Sequence, residues 1–78
     1  MTEDLNSRLR PGLMLEMRHM RMVNMCDDGQ QRWFARRGWD WLDFAENGRP
    51  CADFLATGCG LARKVVRAAI EEDERGRR

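Results

Sequence analysis

CGLARKVVRAAIEEDER, residues 59–75, is the stretch that decides the fold. Leu61, Ala62, Val65, Val66, Ala69 and Ile70 recur at the spacing of one helix face, an apolar stripe about half of the circumference wide. Arg63, Lys64 and Arg67 fall opposite it. At the far end Glu71 stands four residues before Arg75, Asp73 before Arg77 and Glu74 before Arg78. That orientation supports an exposed helix by about 0.3 kcal/mol per pair. A long helix with one greasy stripe needs a wall to pack against, and the residues before it supply one.

Trp33, Phe34, Trp39, Trp41, Phe44 and Phe54 are all the aromatic residues of the chain. Burying each ring contributes on the order of 2–3 kcal/mol. Their flanks read as short helices. Asp28 with Gln31 has the spacing of a capping box for a helix carrying Trp33 and Phe34, which Gly38 closes after Arg36 and Arg37. Asp40 caps a further helix to about Glu46, with Trp39 and Phe44 spaced as a hydrophobic staple and Asn47-Gly48 as the stop. Pro50 suits the first position of a helix bearing Phe54 and Leu55 that ends at Gly58.

Upstream, Leu13, Leu15 and Met17 alternate as in a strand, whereas Met17, Met20 and Val23 follow helical spacing. The expectation is a short extended entry, then a helix from about Arg18 to Met25, stopped by Asp27-Asp28-Gly29. Residues 1–12 are polar, end in Arg10-Pro11-Gly12, and read as a flexible arm; residues 13–75 read as the helical domain and 76–78 as a frayed end. The fold class is therefore all-α: one small domain of four to five short helices with an extended segment near its start. Three Trp within nine positions cannot all face inward from two short helices, so at least one should remain partly exposed.

With 78 residues there is room for one domain, and 14 basic against 13 acidic side chains leave a formal charge of +1. That balance excludes an acidic solvating tail and a uniformly basic neutraliser of nucleic acid. No apolar run exceeds Leu13-Met14-Leu15, so no segment is expected to span a bilayer, and the first residues do not read as a secretory leader. Three Cys without framework spacing are expected as free thiols. Thirteen of the basic residues are Arg and only Lys64 is Lys, a bias that GC-rich codons produce as readily as selection for guanidinium contacts.

His19, Cys26, Cys51 and Cys59 have the composition of a structural zinc site, but no Cys-x-x-Cys knuckle is present and the ligands fall on separate elements. No metal and no cofactor are expected. A Cys–His–Asp triad needs a positioned base and a cleft of several hundred Å³, for which so short a chain leaves little room; the expectation is no enzyme and no catalytic residue. Thr57-Gly58-Cys59-Gly60 could cradle an anion at a helix start, yet a helix-to-helix turn accounts for the same residues.

Two binding classes remain. The crowding of Met14, Met17, Met20, Met22 and Met25 exceeds what one helix face can bury, and Met-rich surfaces adapt to partners. Met17, Met20, Met22, Trp33, Trp39 and Trp41 are thus the candidate protein-contact residues. The alternative is a helix-turn-helix-like nucleic-acid binder that uses Arg36, Arg37, Arg63, Lys64 and Arg67, with Arg37-Gly38-Trp39-Asp40 as its turn. Against it, residues 38–58 hold four acids and one Arg, and Glu71 to Glu74 follow the basic face. An ordinary solvated amphipathic face is the better explanation of those basic residues.

Residues from about Met17 to Ala69, some two-thirds of the chain, resemble a group of small proteins encoded in tailed bacteriophages and prophages. The resemblance lies in Cys26 and Gly29 before Arg32-Trp33-Phe34, in Gly38-Trp39-Asp40-Trp41-Leu42-Asp43-Phe44, in Asn47-Gly48, in Leu55-Ala56-Thr57-Gly58 and in the paired Val65-Val66. Cys59 departs from the Asp that the group carries after Thr-Gly. These motifs are caps, turns and core aromatics. What the resemblance implies is a shared fold and a phage origin, with no catalytic or binding residue to carry over. The expected function is a non-catalytic accessory protein acting on another phage or host protein, in virion assembly or on a host factor. Nucleic acid is the alternative partner and self-association a further option. The expected place is the bacterial host cytoplasm, or the virion itself.

Overall fold

In the computed structural model, which describes residues 4–76, the long helix is the wall on which everything else is hung. In chain order the elements are α1 (Leu5–Arg8), β1 (Met14–Leu15), α2 (Met17–Met22), α3 (Asp27–Arg36), α4 (Trp41–Asn47), β2 (Arg49–Pro50), α5 (Cys51–Ala56) and α6 (Gly60–Gly76). The all-helical expectation holds, with six helices among the described residues. The extended entry finds a partner: β1 pairs antiparallel with β2, Met14 opposite Pro50 and Leu15 opposite Arg49. Because the ladder continues through the Cys51 N–H, which donates to the Leu13 carbonyl at 3.0 Å, Pro50 ends a strand and caps α5 instead of entering it.

Ala62, Val65, Val66, Ala69 and Ile70 of α6 are buried as the stripe requires, whereas Leu61 at its first turn is 41% exposed. Opposite the stripe, Phe54 stands at the centre of the aromatic cluster. Its ring stacks on Trp33 at 5.7 Å and meets Trp39 at 5.3 Å, Phe44 at 5.9 Å and Phe34 at 6.0 Å edge-on. Edge-to-face and offset geometries set the positive rim of one ring against the negative face of the next.

The short helices end on backbone devices. After α3, the Gly38 N–H bonds to the Ala35 carbonyl and the Trp39 N–H to that of Phe34, with Gly38 at φ 70°. This is a Schellman motif, and the Trp39 and Phe34 rings, 5.7 Å apart, provide its apolar contact. The same motif closes α2 early. Asn24 adopts φ 59° and bonds to Arg21, while the Met25 N–H bonds to Met20. The helix expected to reach Met25 therefore stops at Met22. At the next start the N-cap is Cys26, two residues ahead of the capping box expected at Asp28; Gln30 is turned into the core instead. Asp40 does cap α4, accepting from the Leu42 and Asp43 N–H groups at 3.0 and 3.2 Å. Gly48 is required at its end. It has φ 75°, and a Cβ there would lie 2.8 Å from the Leu15 carbonyl oxygen. Gly48→Ala should therefore lower the urea midpoint while wild-type chemistry elsewhere is unchanged, at a cost of about 1–3 kcal/mol.

Residues 1–12 do not behave as an arm over the part described. Asp4 caps α1, and Leu5 is fully buried against the α6 side of the core. Three arginines then bind three consecutive acids of α6: Arg8 to Glu74 at 2.9 Å, Arg10 to Asp73 at 2.9 Å and Arg18 to Glu72 at 2.6 Å. The acids of the α6 end thus reach across the fold. Burial of Leu5 brings the arginines alongside, and a guanidinium fork binds a carboxylate through two bonds at once. Residues 1–3, with Arg77 and Arg78 that were expected to pair with Asp73 and Glu74, lie outside the described residues; Gly76 belongs to α6.

Candidate interaction surfaces

The six candidate protein-contact residues separate by depth. Met20 and Trp33 belong to the core and drop out as surface residues. Met20, Met25, Trp33, Phe54, Ala62 and Val65 surround one apolar gap with no room for a water molecule, because the α2 face that carries Met20 is the face packed on α6. Met17, Trp39 and Trp41 are half-buried, and Met22 is exposed at the end of α2. Each indole has a fixed neighbour. The Arg37 guanidinium lies 3.6 Å over the Trp33 ring and that of Arg49 lies 3.9 Å over Trp39. The Trp41 indole N–H donates to Gln30 Oε1 at 3.0 Å, and the Gln30 amide donates in turn to the Met25 carbonyl at 2.9 Å.

The residue that pattern reading passed over is Leu42, 70% exposed in the first turn of α4. Once Asp40 fixes the helix start and Phe44 points inward, a residue two positions earlier must face out. Ala45, three residues on, shares its face, and exposed Asp40, Asp43 and Glu46 lie around it.

The basic candidates also divide. Arg36, Lys64 and Arg67 are exposed and Arg63 is half-buried. Arg37 is committed inward, stacked on Trp33 and donating to the Trp33 carbonyl at 3.2 Å.

The three thiols occupy three environments. Cys26 is exposed, Cys51 is buried and Cys59 is half-buried. Burial pushes the Cys51 thiol up to about 12. The Trp33 indole N–H, 3.5 Å from Cys59 Sγ, and the backbone N–H of Ala62 at the start of α6 hold Cys59 below its usual value. Thr57 organises the turn before it, its hydroxyl donating to the Phe54 carbonyl and accepting from the Cys59 N–H. A pulse of iodoacetamide at pH 7, read by peptide mass spectrometry, should label Cys59 and Cys26 and leave Cys51 unmodified. Only about 10⁻⁵ of a thiol with so high a value is thiolate at that pH. Among the described residues, no three of His, Cys, Asp and Glu gather as metal ligands.

A cleft of about 300 Å³ opens between the segment 10–19 and the last turns of α6, larger than so short a chain was expected to hold. At its floor His19 is buried, its Nδ1 accepting from the Glu16 N–H at 2.9 Å and its Nε2 lying 3.2 Å from Glu72 Oε1. A nitrogen that accepts from a backbone N–H carries no proton, so the partners assign the neutral Nε2–H tautomer.

Glu72 is held below its usual 4.5, chiefly by the Arg18 hydrogen bond, which outweighs the opposing effect of burial, with a lesser lowering from the His19 hydrogen bond. A carboxylate depressed in the folded state contributes stability that is complete above its unfolded value and is lost as pH falls through the folded one. The urea midpoint should therefore stay level from about pH 7 to 5 as far as Glu72 is concerned and fall below about pH 4. Glu72→Gln should flatten that fall; an unchanged profile in the variant would remove Glu72 as its source.

No helix among the described residues is long and apolar enough to cross a membrane. No family model matches the sequence, and no match is found among the curated proteins or the solved structures.

Proposed function

We propose that this chain is a non-catalytic accessory protein of a phage or prophage that works by binding another protein, with α4 as the contact face. Leu42 carries this reading. A leucine left 70% exposed beside a half-buried Trp41, on a helix whose start is fixed by the Asp40 cap, is an apolar anchor on a rigid element. Asp40, Asp43 and Glu46 around it suit a partner whose rim is basic. The phage origin is supported by the sequence resemblance, and the host cytoplasm or the virion is the corresponding place of action.

Leu42→Asp should leave the urea midpoint within about 0.5 kcal/mol, since the side chain is exposed. It should weaken capture of the partner cross-linked to the wild-type chain in infected or lysogenic bacteria by at least about 30-fold, the effect of a hot spot of about 2 kcal/mol. Equal capture by the variant would remove α4 as the contact face. Exposed Arg36, Lys64 and Arg67 support the second reading, nucleic-acid binding. There the logarithm of duplex affinity should fall by about 0.9 per contacted phosphate for each decade of salt. No binding at low salt would end that reading.

A further inference from the structure

Two helices of opposite charge each leave a leucine in solvent. Residues 40–47, the cap and body of α4, carry Asp40, Asp43 and Glu46 and no base; residues 60–70, the first turns of α6, carry Arg63, Lys64 and Arg67 and no acid. All three acids of the first segment are exposed, and among the described residues no cation is paired with them. α4 packs on α3, which leaves Leu42, Asp43, Ala45 and Glu46 uncovered. On α6, Ala62, Val65 and Val66 face the core while Leu61, 41% exposed, and Lys64 one turn later face out. The acids further along that helix are already engaged, Glu72 by Arg18, Asp73 by Arg10 and Glu74 by Arg8.

We propose that the α4 face takes a second copy of this chain: α4 of one molecule lies on the first turns of α6 of another, Leu42 against Leu61 and the α4 acids beside Lys64. The inference rests on α4 being a contact face, as read above, and names an occupant for it. Three acids with no base repel nucleic acid and an anionic membrane surface. The start of α6 has the opposite sign and supplies the apolar neighbour that Leu42 lacks, and every molecule that offers one face also carries the other. Desolvation of the two leucines supplies the attraction. The charges set the register, because they disfavour α4 on α4 and α6 on α6 and favour only the mixed pairing. A helix of seven residues is about 10 Å long, so the contact is small and belongs with the weak, transient interfaces.

Sedimentation equilibrium of the whole chain, from about 10 μM to 1 mM, covers the range of a weak interface. The weight-average mass is expected to rise with concentration above the 9.2 kDa of one chain, and less steeply as NaCl goes from about 50 to 500 mM and screens the charges. Glu46→Lys and Lys64→Glu, both at exposed positions, should each weaken association at least about tenfold by setting like charges across the contact. Mixed in equal amounts, the two variants should associate as the wild type does, because the reversed α4 of the first meets the reversed α6 of the second. Circular dichroism confirms that each is folded. A single-chain mass at every concentration would overturn the proposal, as would wild-type association by Lys64→Glu or a mixture no better than its components. Indifference of the wild type to salt would do so without any variant. Lys64 lies off α4, so Lys64→Glu should leave capture of a foreign partner intact. A monomeric wild type whose capture still depends on Leu42 ends this inference alone. Leu42→Asp defective in self-association but not in capture removes the foreign partner from α4 and keeps the second copy.

Discussion

Phe54→Ala is expected to cost about 3–5 kcal/mol and to leave a large unfolded fraction at 37 °C. A domain of 78 residues has about 4–12 kcal/mol in total, so one substitution removes about a quarter of it or more. The size follows from position. Phe54 is buried, touches the rings of Trp33, Phe34, Trp39 and Phe44, and stands between them and the α6 stripe. Truncation removes four ring contacts and leaves a cavity that no neighbour can fill without unstacking another pair. Phe54→Leu retains most of the volume and should cost about 1–1.5 kcal/mol. Urea unfolding followed by Trp fluorescence measures both. Equal midpoints for Phe54→Ala and wild type would mean that the aromatic cluster is not the core.

Leu5→Ala is the second large effect, expected at about 3 kcal/mol. A leucine in a flexible arm would cost nothing when shortened. Here Leu5 is fully buried, on a one-turn helix that Asp4 caps, and the Arg8–Glu74 and Arg10–Asp73 pairs hold its segment to α6. The exposed pairs contribute about 0.2–1 kcal/mol each, so the buried leucine outweighs any one of them. High salt should accordingly weaken the attachment without releasing it. If chemical denaturation shows Leu5→Ala as stable as wild type, the segment is not part of the cooperative unit.

The helical architecture was legible because its determinants are local. The α6 stripe, the Asp40 cap and the stops at Gly38, Asn47-Gly48 and Gly58 each need only neighbours within a turn or two. What was not legible depends on distant partners. Leu9, four residues on, is the one apolar companion of Leu5 at helical spacing within 1–12, too short a pattern to read as a packed face, and the wall that α1 meets is the distant α6. The i,i+4 pattern of Glu71 to Arg78 gave no sign that arginines 54 to 66 positions away would bind the same acids. Asn24 was a local signal passed over: it is a residue that tolerates the left-handed conformation, and it ends α2 three residues before the acidic stop expected at Asp27.

The surface divides in the same way. Crowding, which nominates Met20 and Trp33 as contact residues, says how much apolar area exists but not which part is covered. Leu42 sits among tryptophans whose size draws the choice of an exposed residue in this stretch to an indole. The register set by Asp40 and Phe44 was already enough to turn it outward. Arg37 and Arg49 show a use of arginine that composition could not assign, each lying flat on an indole ring.

The attachment of residues 5–10 to the far end of α6 also sets the order of events in time. Arg8 and Glu74 are 66 positions apart. At a synthesis rate of 5–20 residues per second, the first segment waits roughly 3–13 s for the acids it will meet. Closing so long a loop adds little to the entropy cost, which grows only with the logarithm of length. During that wait Leu5, Leu15 and the aromatic rings lack the wall provided by Val65, Val66 and Ile70, so a nascent chain halted before α6 presents its sticky side to any neighbour. The wall of the core is thus the last of its parts to be made, and α1, β1 and α2 wait for it.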